Sequence, residues 1–130
     1  MLAHEVVVAK TEEWQDGSLG IIEVDGHRVA LCRVGDAFFA FDDRCPHAGS
    51  TLGLGMLHAN AVECPRHQYL WRVTDGAPLT TAGPLTLFQV RVEGDSVLLT
   101  VPDRWPEPAH WARHPKREEL RRRHGFEEGE

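Results

Sequence analysis

Two short segments set the terms on which this chain can fold. Cys45-Pro46-His47 and Cys64-Pro65-Arg66-His67 form a C-x-H and a C-x-x-H separated by sixteen residues. Each offers one thiolate and one imidazole, so a fold that joins them must set two loops side by side with one ligand of each kind on either. Such a set suits tetrahedral zinc, which accepts the same four atoms. It also suits two irons bridged by two sulfides, where one iron takes both cysteines and the other both histidines. Structural zinc modules usually pair like with like, C-x2-4-C with H-x3-5-H, and the mixed pairing here departs from that pattern.

Charge favours the two-iron reading. Two ferric ions, two sulfides and two thiolates sum to zero, so the oxidised centre is neutral and reduction adds one negative charge. Imidazoles in place of two thiolates make that reduction easier.

Around these segments the chain reads as all-β. From Glu5 to Phe41, β-branched and aromatic runs are punctuated by turn residues, with no helix period. Asp25-Gly26 separates Ile21 to Val24 from Val29 to Cys32, a two-residue hairpin signal because its second position tolerates positive φ. Gly35-Asp36 turns the chain into Ala37 to Phe41. Asp42 to Asn60, rich in Gly, Pro, His and Cys, reads as one long ordered loop, and a loop of that length needs an organiser such as a cofactor. A short strand is expected at Ala61 to Glu63 and another at Tyr69 to Val73. Thr86 to Val92 alternates Phe88, Val90 and Val92 with Gln89 and Arg91, the pattern of one half-buried strand. Glu93-Gly94-Asp95 is a turn, and Val97 to Val101 closes the sheet. Pro102, Pro106 and Pro108 exclude a central strand beyond it. Pro115, Lys116 to His124 and Gly125 read as a short helix with a glycine stop.

With 130 residues the chain has room for one modest core. We divide it into a cluster-binding unit, 1–101, with loops at about 43–58 and 64–68, and a C-terminal extension, 102–130. A formal charge of −6 disfavours nucleic acid, and suits protein partners that present basic docking residues. No basic run marks Met1 to Glu5 and no stretch of about eighteen apolar residues occurs, so the expectation is a cytoplasmic protein without a membrane span. Three cysteines argue against a disulfide framework.

At the ligand segments, with Phe41-Asp42-Asp43-Arg44 before the first, Ala48-Gly49 after it and Val92-Glu93-Gly94-Asp95 near the end, the sequence resembles the Rieske-type ferredoxins of bacterial aromatic-ring oxygenase systems. The resemblance spans about Glu5 to Val101. It implies an antiparallel β-sandwich with an inserted cluster-binding subdomain, and one [2Fe-2S] cluster held by Cys45, His47, Cys64 and His67. It also implies a one-electron carrier without a substrate of its own, taking electrons from a flavoprotein reductase and passing them to a terminal oxygenase. Two other readings stay open: a small subunit resembling that of nitrite reductase, with the extension as its attachment, and a zinc-stabilised interaction domain.

Several positions depart from high-potential Rieske proteins. Ser50 and Arg66 stand where those proteins carry a disulfide, and Tyr69 and Trp71 where they place hydroxyl donors to the cluster. Without those donors the potential belongs nearer about −150 mV than +300 mV. Gln68 replaces a customary glycine, and the proline loop, Pro78 to Pro84, is short. Gly49, Gly53 and Gly55 supply backbone freedom and close approach in the first loop. Cys32 reads as a small buried hydrophobe, Tyr69 and Trp71 as core aromatics, His58 as a surface residue, and Trp105 and Trp111 as packing for the extension. Arg113 to Arg123 holds six basic residues against two glutamates, a solvated helix.

Overall fold

The computed structural model describes residues 4–125 except 48, 67 and 81. The strands are β1 (His4–Lys10), β2 (Leu19–Val24), β3 (His27–Val34), β4 (Ala37–Asp42), β5 (Met56–His58), β6 (Ala61–Glu63), β7 (Leu70–Arg72), β8 (Leu87–Phe88), β9 (Val90–Glu93) and β10 (Ser96–Val101). They form three antiparallel sheets, ordered β1-β10-β9, β2-β3-β4-β8 and β5-β6-β7. The all-β expectation holds.

The second sheet is the middle layer, and β3 shows why its sequence is a continuous apolar run. Val29 and Leu31 point into one core with Val97 and Leu99 of the first sheet. Ala30 and Cys32, one pleat over, point into another that contains Cys45, Cys64 and Trp71. Successive side chains on a strand face opposite ways, so a strand buried on both faces loses polar alternation. Trp71, Phe41 and Leu52 are fully buried in the second core, each contributing roughly 1.5–3 kcal/mol by area.

Asp25 and Gly26 take φ of 51° and 80°, the pair of left-handed residues that a tight primed turn requires. Val24 accordingly faces His27 across the hairpin.

Two expectations need correction. Thr86 to Val92 is not one strand: Phe88 faces Ala40 in the middle sheet, whereas Val90 faces Leu99 in the first. The chain changes sheets at Gln89, whose carbonyl accepts a hydrogen bond from Thr100 N–H at 2.9 Å. Alternation survives this switch, so the pattern alone does not reveal it. Asp42 to Asn60 is also not one loop, because a 3-10 turn over Leu52–Leu54 and strand β5 occupy its second half. Ala59, at φ 55°, makes the turn into β6.

The extension folds back onto the sheets. Trp105 stacks on His27 at 4.2 Å and meets Phe88 edge-on at 5.4 Å. A 3-10 segment, Ala109–Arg113, precedes helix α1, Arg117–Arg123, which stops at Gly125 with φ 81°. Glu107 accepts from Arg117 and Arg121, each at 3.0 Å, and Trp111 is buried.

Candidate metal centre

The two ligand segments are built to one plan. Arg44 and Thr51 form an antiparallel bridge at the base of the first loop, and Glu63 and Leu70 pair at the base of the second. The span is the same in both. Inside each bridge, the cysteine N–H donates to the carbonyl five residues on: Cys45 to Ser50 and Cys64 to Tyr69, both at 2.8 Å. Each cysteine carbonyl then accepts from the amide four residues on, from Gly49 at 2.7 Å and from Gln68 at 3.1 Å. That closing residue is left-handed in both loops, φ 79° at Gly49 and 59° at Gln68. Gln68 thus adopts the backbone conformation for which glycine is the usual choice.

This plan sorts the candidate ligands by depth. Cys45 and Cys64 are fully buried and share one core, whereas His47 is exposed. The His47 ring reaches across to the second loop and meets Tyr69 at 4.2 Å. His67, the fourth expected ligand, lies outside the described residues, as does Ala48. Among the described residues no three Cys, His, Asp or Glu side chains gather about one point, and a two-iron centre asks for only two protein ligands at each iron. Sulfur donors inside, an imidazole at the rim and paired loops of equal span fit such a centre.

The surroundings hold the first loop firmly. The carboxylate of Asp42 receives Arg44 as a fork, at 2.9 and 2.7 Å. Asp43 is buried, accepts Gly53 N–H at 2.8 Å and has Arg28 at 3.5 Å; burial nevertheless pushes its carboxyl above the usual range. Gly53 and Gly55 lie where a Cβ would run into Ile21 and the Glu63 carbonyl, so close approach is what these glycines supply. The Trp71 indole N–H donates to the Gly83 carbonyl at 2.8 Å, tying the proline loop to the core.

The remaining expectations can be placed. Cys32 is buried and its thiol is pushed up to about 12 by desolvation, which keeps it protonated. All three cysteines are free of disulfides. Tyr69 is half-buried. His58 is exposed and pairs with Glu63 at 2.6 Å. Sequence reasoning missed the contact of the extension with the first loop, where the His110 ring packs on Gly49 and Arg44 donates to the Pro106 carbonyl at 3.0 Å. No local pattern could have revealed a contact across some sixty positions.

The chain is similar to known proteins. The family model of the Rieske [2Fe-2S] domain matches residues 4–97. The 3-phenylpropionate/cinnamic acid dioxygenase ferredoxin subunit of Shigella boydii serotype 4 (strain Sb227) is 36% identical over 81 residues, 60% of this chain and 76% of that one. The ferredoxin of carbazole 1,9a-dioxygenase from Nocardioides aromaticivorans IC177 is similar at TM-score 0.70 and 33% identity, over 74% of this chain and 96% of its own. A chain in a complex of reduced oxygenase and oxidized ferredoxin in carbazole 1,9a-dioxygenase matches at TM-score 0.72 and 28% identity, over 78% and 97%.

Proposed function

The chain belongs to the family of Rieske [2Fe-2S] domains, and on that footing we propose that it is a one-electron carrier serving an oxygenase. Cys45 and Cys64 would hold one iron of its cluster, and His47 and His67 the other. When bound, the cluster supplies reversible uptake of a single electron at a potential set by its ligands and surroundings. The observation that carries this reading is the matched hydrogen bonding of the two loops, with both cysteines buried in one core and His47 exposed.

The chain's own residues divide the work. Cys45 and Cys64 bind from within the apolar core, where Trp71, Leu52 and Val62 exclude water. His47 presents an imidazole edge at the surface, where a partner can approach closely. A small transient interface suffices for such transfer. We assign the partners as a flavoprotein reductase on the donor side and a terminal oxygenase on the acceptor side, by analogy with the dioxygenase ferredoxin relatives. Among the described residues no helix is long and apolar enough to cross a membrane, and we place the protein in the cytoplasm. We take 1–101 as the cluster-binding unit and 102–130 as an appendage to it.

The test is spectroscopic. The purified protein should hold about two irons and about two acid-labile sulfides per chain. On dithionite reduction it should give a rhombic EPR signal with average g below the free-electron value. A colourless protein with stoichiometric zinc overturns the reading.

A further inference from the structure

We propose that His110, carried by the C-terminal extension, is a positioning residue for the loop that presents His47. This rests on the reading that the two loops hold the cluster. The loops share their hydrogen bonds but differ at the residue that closes them. The second loop closes with Gln68, which carries a side chain; the first closes with Gly49, which has none. The space a Cβ would take at Gly49 belongs to the His110 ring, with Cε1 at 2.7 Å, Nε2 at 3.0 Å and Nδ1 at 3.1 Å from that position. His110 Nδ1 is buried and makes no hydrogen bond, so the imidazole serves here as a packed surface, and its burial holds the ring toward the neutral form.

The extension does not depend on His110 for its attachment. Trp105 stacks on His27 and Arg44 reaches the Pro106 carbonyl, while Glu107 braces the extension internally through Arg117 and Arg121. His110 is therefore delivered to Gly49 by a segment anchored elsewhere. It backs the left-handed turn whose amide closes on the Cys45 carbonyl, two residues beyond His47. The family model ends at residue 97, so His110 lies beyond the portion that it matches.

The test uses the full-length, cluster-loaded protein and the variants His110→Ala and His110→Phe. Hydrogen exchange read by mass spectrometry on peptides covering 44–51 should speed up about tenfold in His110→Ala, as local opening of the first loop becomes easier. Peptides covering 63–70, on the loop that Gln68 closes with the same hydrogen bonds, should exchange as in the parent. The midpoint potential should rise, because water admitted beside the loop stabilises the extra negative charge of the reduced state, and His110→Phe, which keeps a ring in place, should return both readouts toward the parent. Unchanged exchange and potential in a loaded His110→Ala overturn the proposal, as does an effect on both loops alike. A change that His110→Phe fails to correct also overturns it, by moving the role from the ring's bulk to its nitrogens. Failure of the parent to load iron and sulfide sinks the cluster reading instead, and iron analysis of the parent separates the two.

Discussion

The rings of His47 and Tyr69 lie 4.2 Å apart with their planes inclined by 39°. His47 belongs to the first ligand loop, and Tyr69 is the residue whose carbonyl closes the second on Cys64. One aromatic contact thus ties the exposed His47 of one loop to the hydrogen-bond frame of the other. Tyr69 is itself backed by Trp71 at 6.3 Å, which is fully buried. The orientation of a surface imidazole is in this way referred to the core.

Tyr69→Ala should therefore loosen His47 as well as reduce stability. Aromatic pairs contribute about 0.5–1.5 kcal/mol beyond their area burial, so a loss of about 1–3 kcal/mol is expected. In a domain of this size that lowers Tm by several degrees. Tyr69→Phe keeps the ring and should lower Tm less than Tyr69→Ala. Thermal unfolding together with the reduced-state EPR spectrum checks this; an Ala variant with unchanged line shape would mean that the contact does not orient His47.

Much of this frame is legible in the sequence, because it depends on residues close in the chain. The two Cys-Pro steps with nearby histidines mark both loops, and Asp25-Gly26 marks the hairpin between Ile21 to Val24 and Val29 to Cys32. What stays hidden depends on long-range partners. The change of sheet at Gln89 leaves the alternation of Phe88 and Val90 intact. Strand β5 exists because Met56 to His58 pairs with β6, a pairing that a Gly-rich stretch does not advertise. The seating of His110 on Gly49 joins residues some sixty positions apart in the chain.

Gln68 offers a route to higher stability. It is exposed and holds φ at 59°, where a residue with a Cβ is strained by about 1 kcal/mol or more. Gln68→Gly relieves that strain while adding some backbone entropy to the unfolded chain. The net expectation is a gain of roughly 0.5–1 kcal/mol, seen as a higher midpoint in urea. Gly49→Ala should act in the opposite sense and more strongly, since its φ of 79° is also left-handed and the His110 ring occupies the space. A Gln68→Gly variant less stable than the parent would show that the side chain contributes more than the strain takes away.

Cys32 should be silent to thiol reagents in the folded protein. Its thiol is buried and pushed up to about 12 by desolvation, and thiolate is the reactive form. Because the folded value lies above that of the unfolded chain, its contribution to stability is complete below the ordinary thiol range. That contribution falls away as pH rises toward about 12, since the unfolded chain then binds fewer protons. Cys32→Ala should flatten this part of the alkaline stability profile. Rapid labelling of Cys32 in folded, loaded protein at neutral pH would contradict its burial.

Arg44 joins the first loop to the extension. Its guanidinium grips the Asp42 carboxylate at 2.9 and 2.7 Å and reaches the Pro106 carbonyl at 3.0 Å. A lysine ammonium is a single point charge and cannot hold a planar fork and a third acceptor together. Arg44→Lys should keep the charge yet cost about 1–2 kcal/mol, the scale of a charge-assisted hydrogen bond lost from a partly buried site. The loss should concentrate in the extension. Trypsin should then cut after the exposed Arg104 several-fold faster in the variant than in the parent, before the remainder of the domain is attacked. Equal cleavage rates at Arg104 would assign the attachment of the extension to Trp105 and its stacking on His27, leaving Arg44 with a role confined to Asp42.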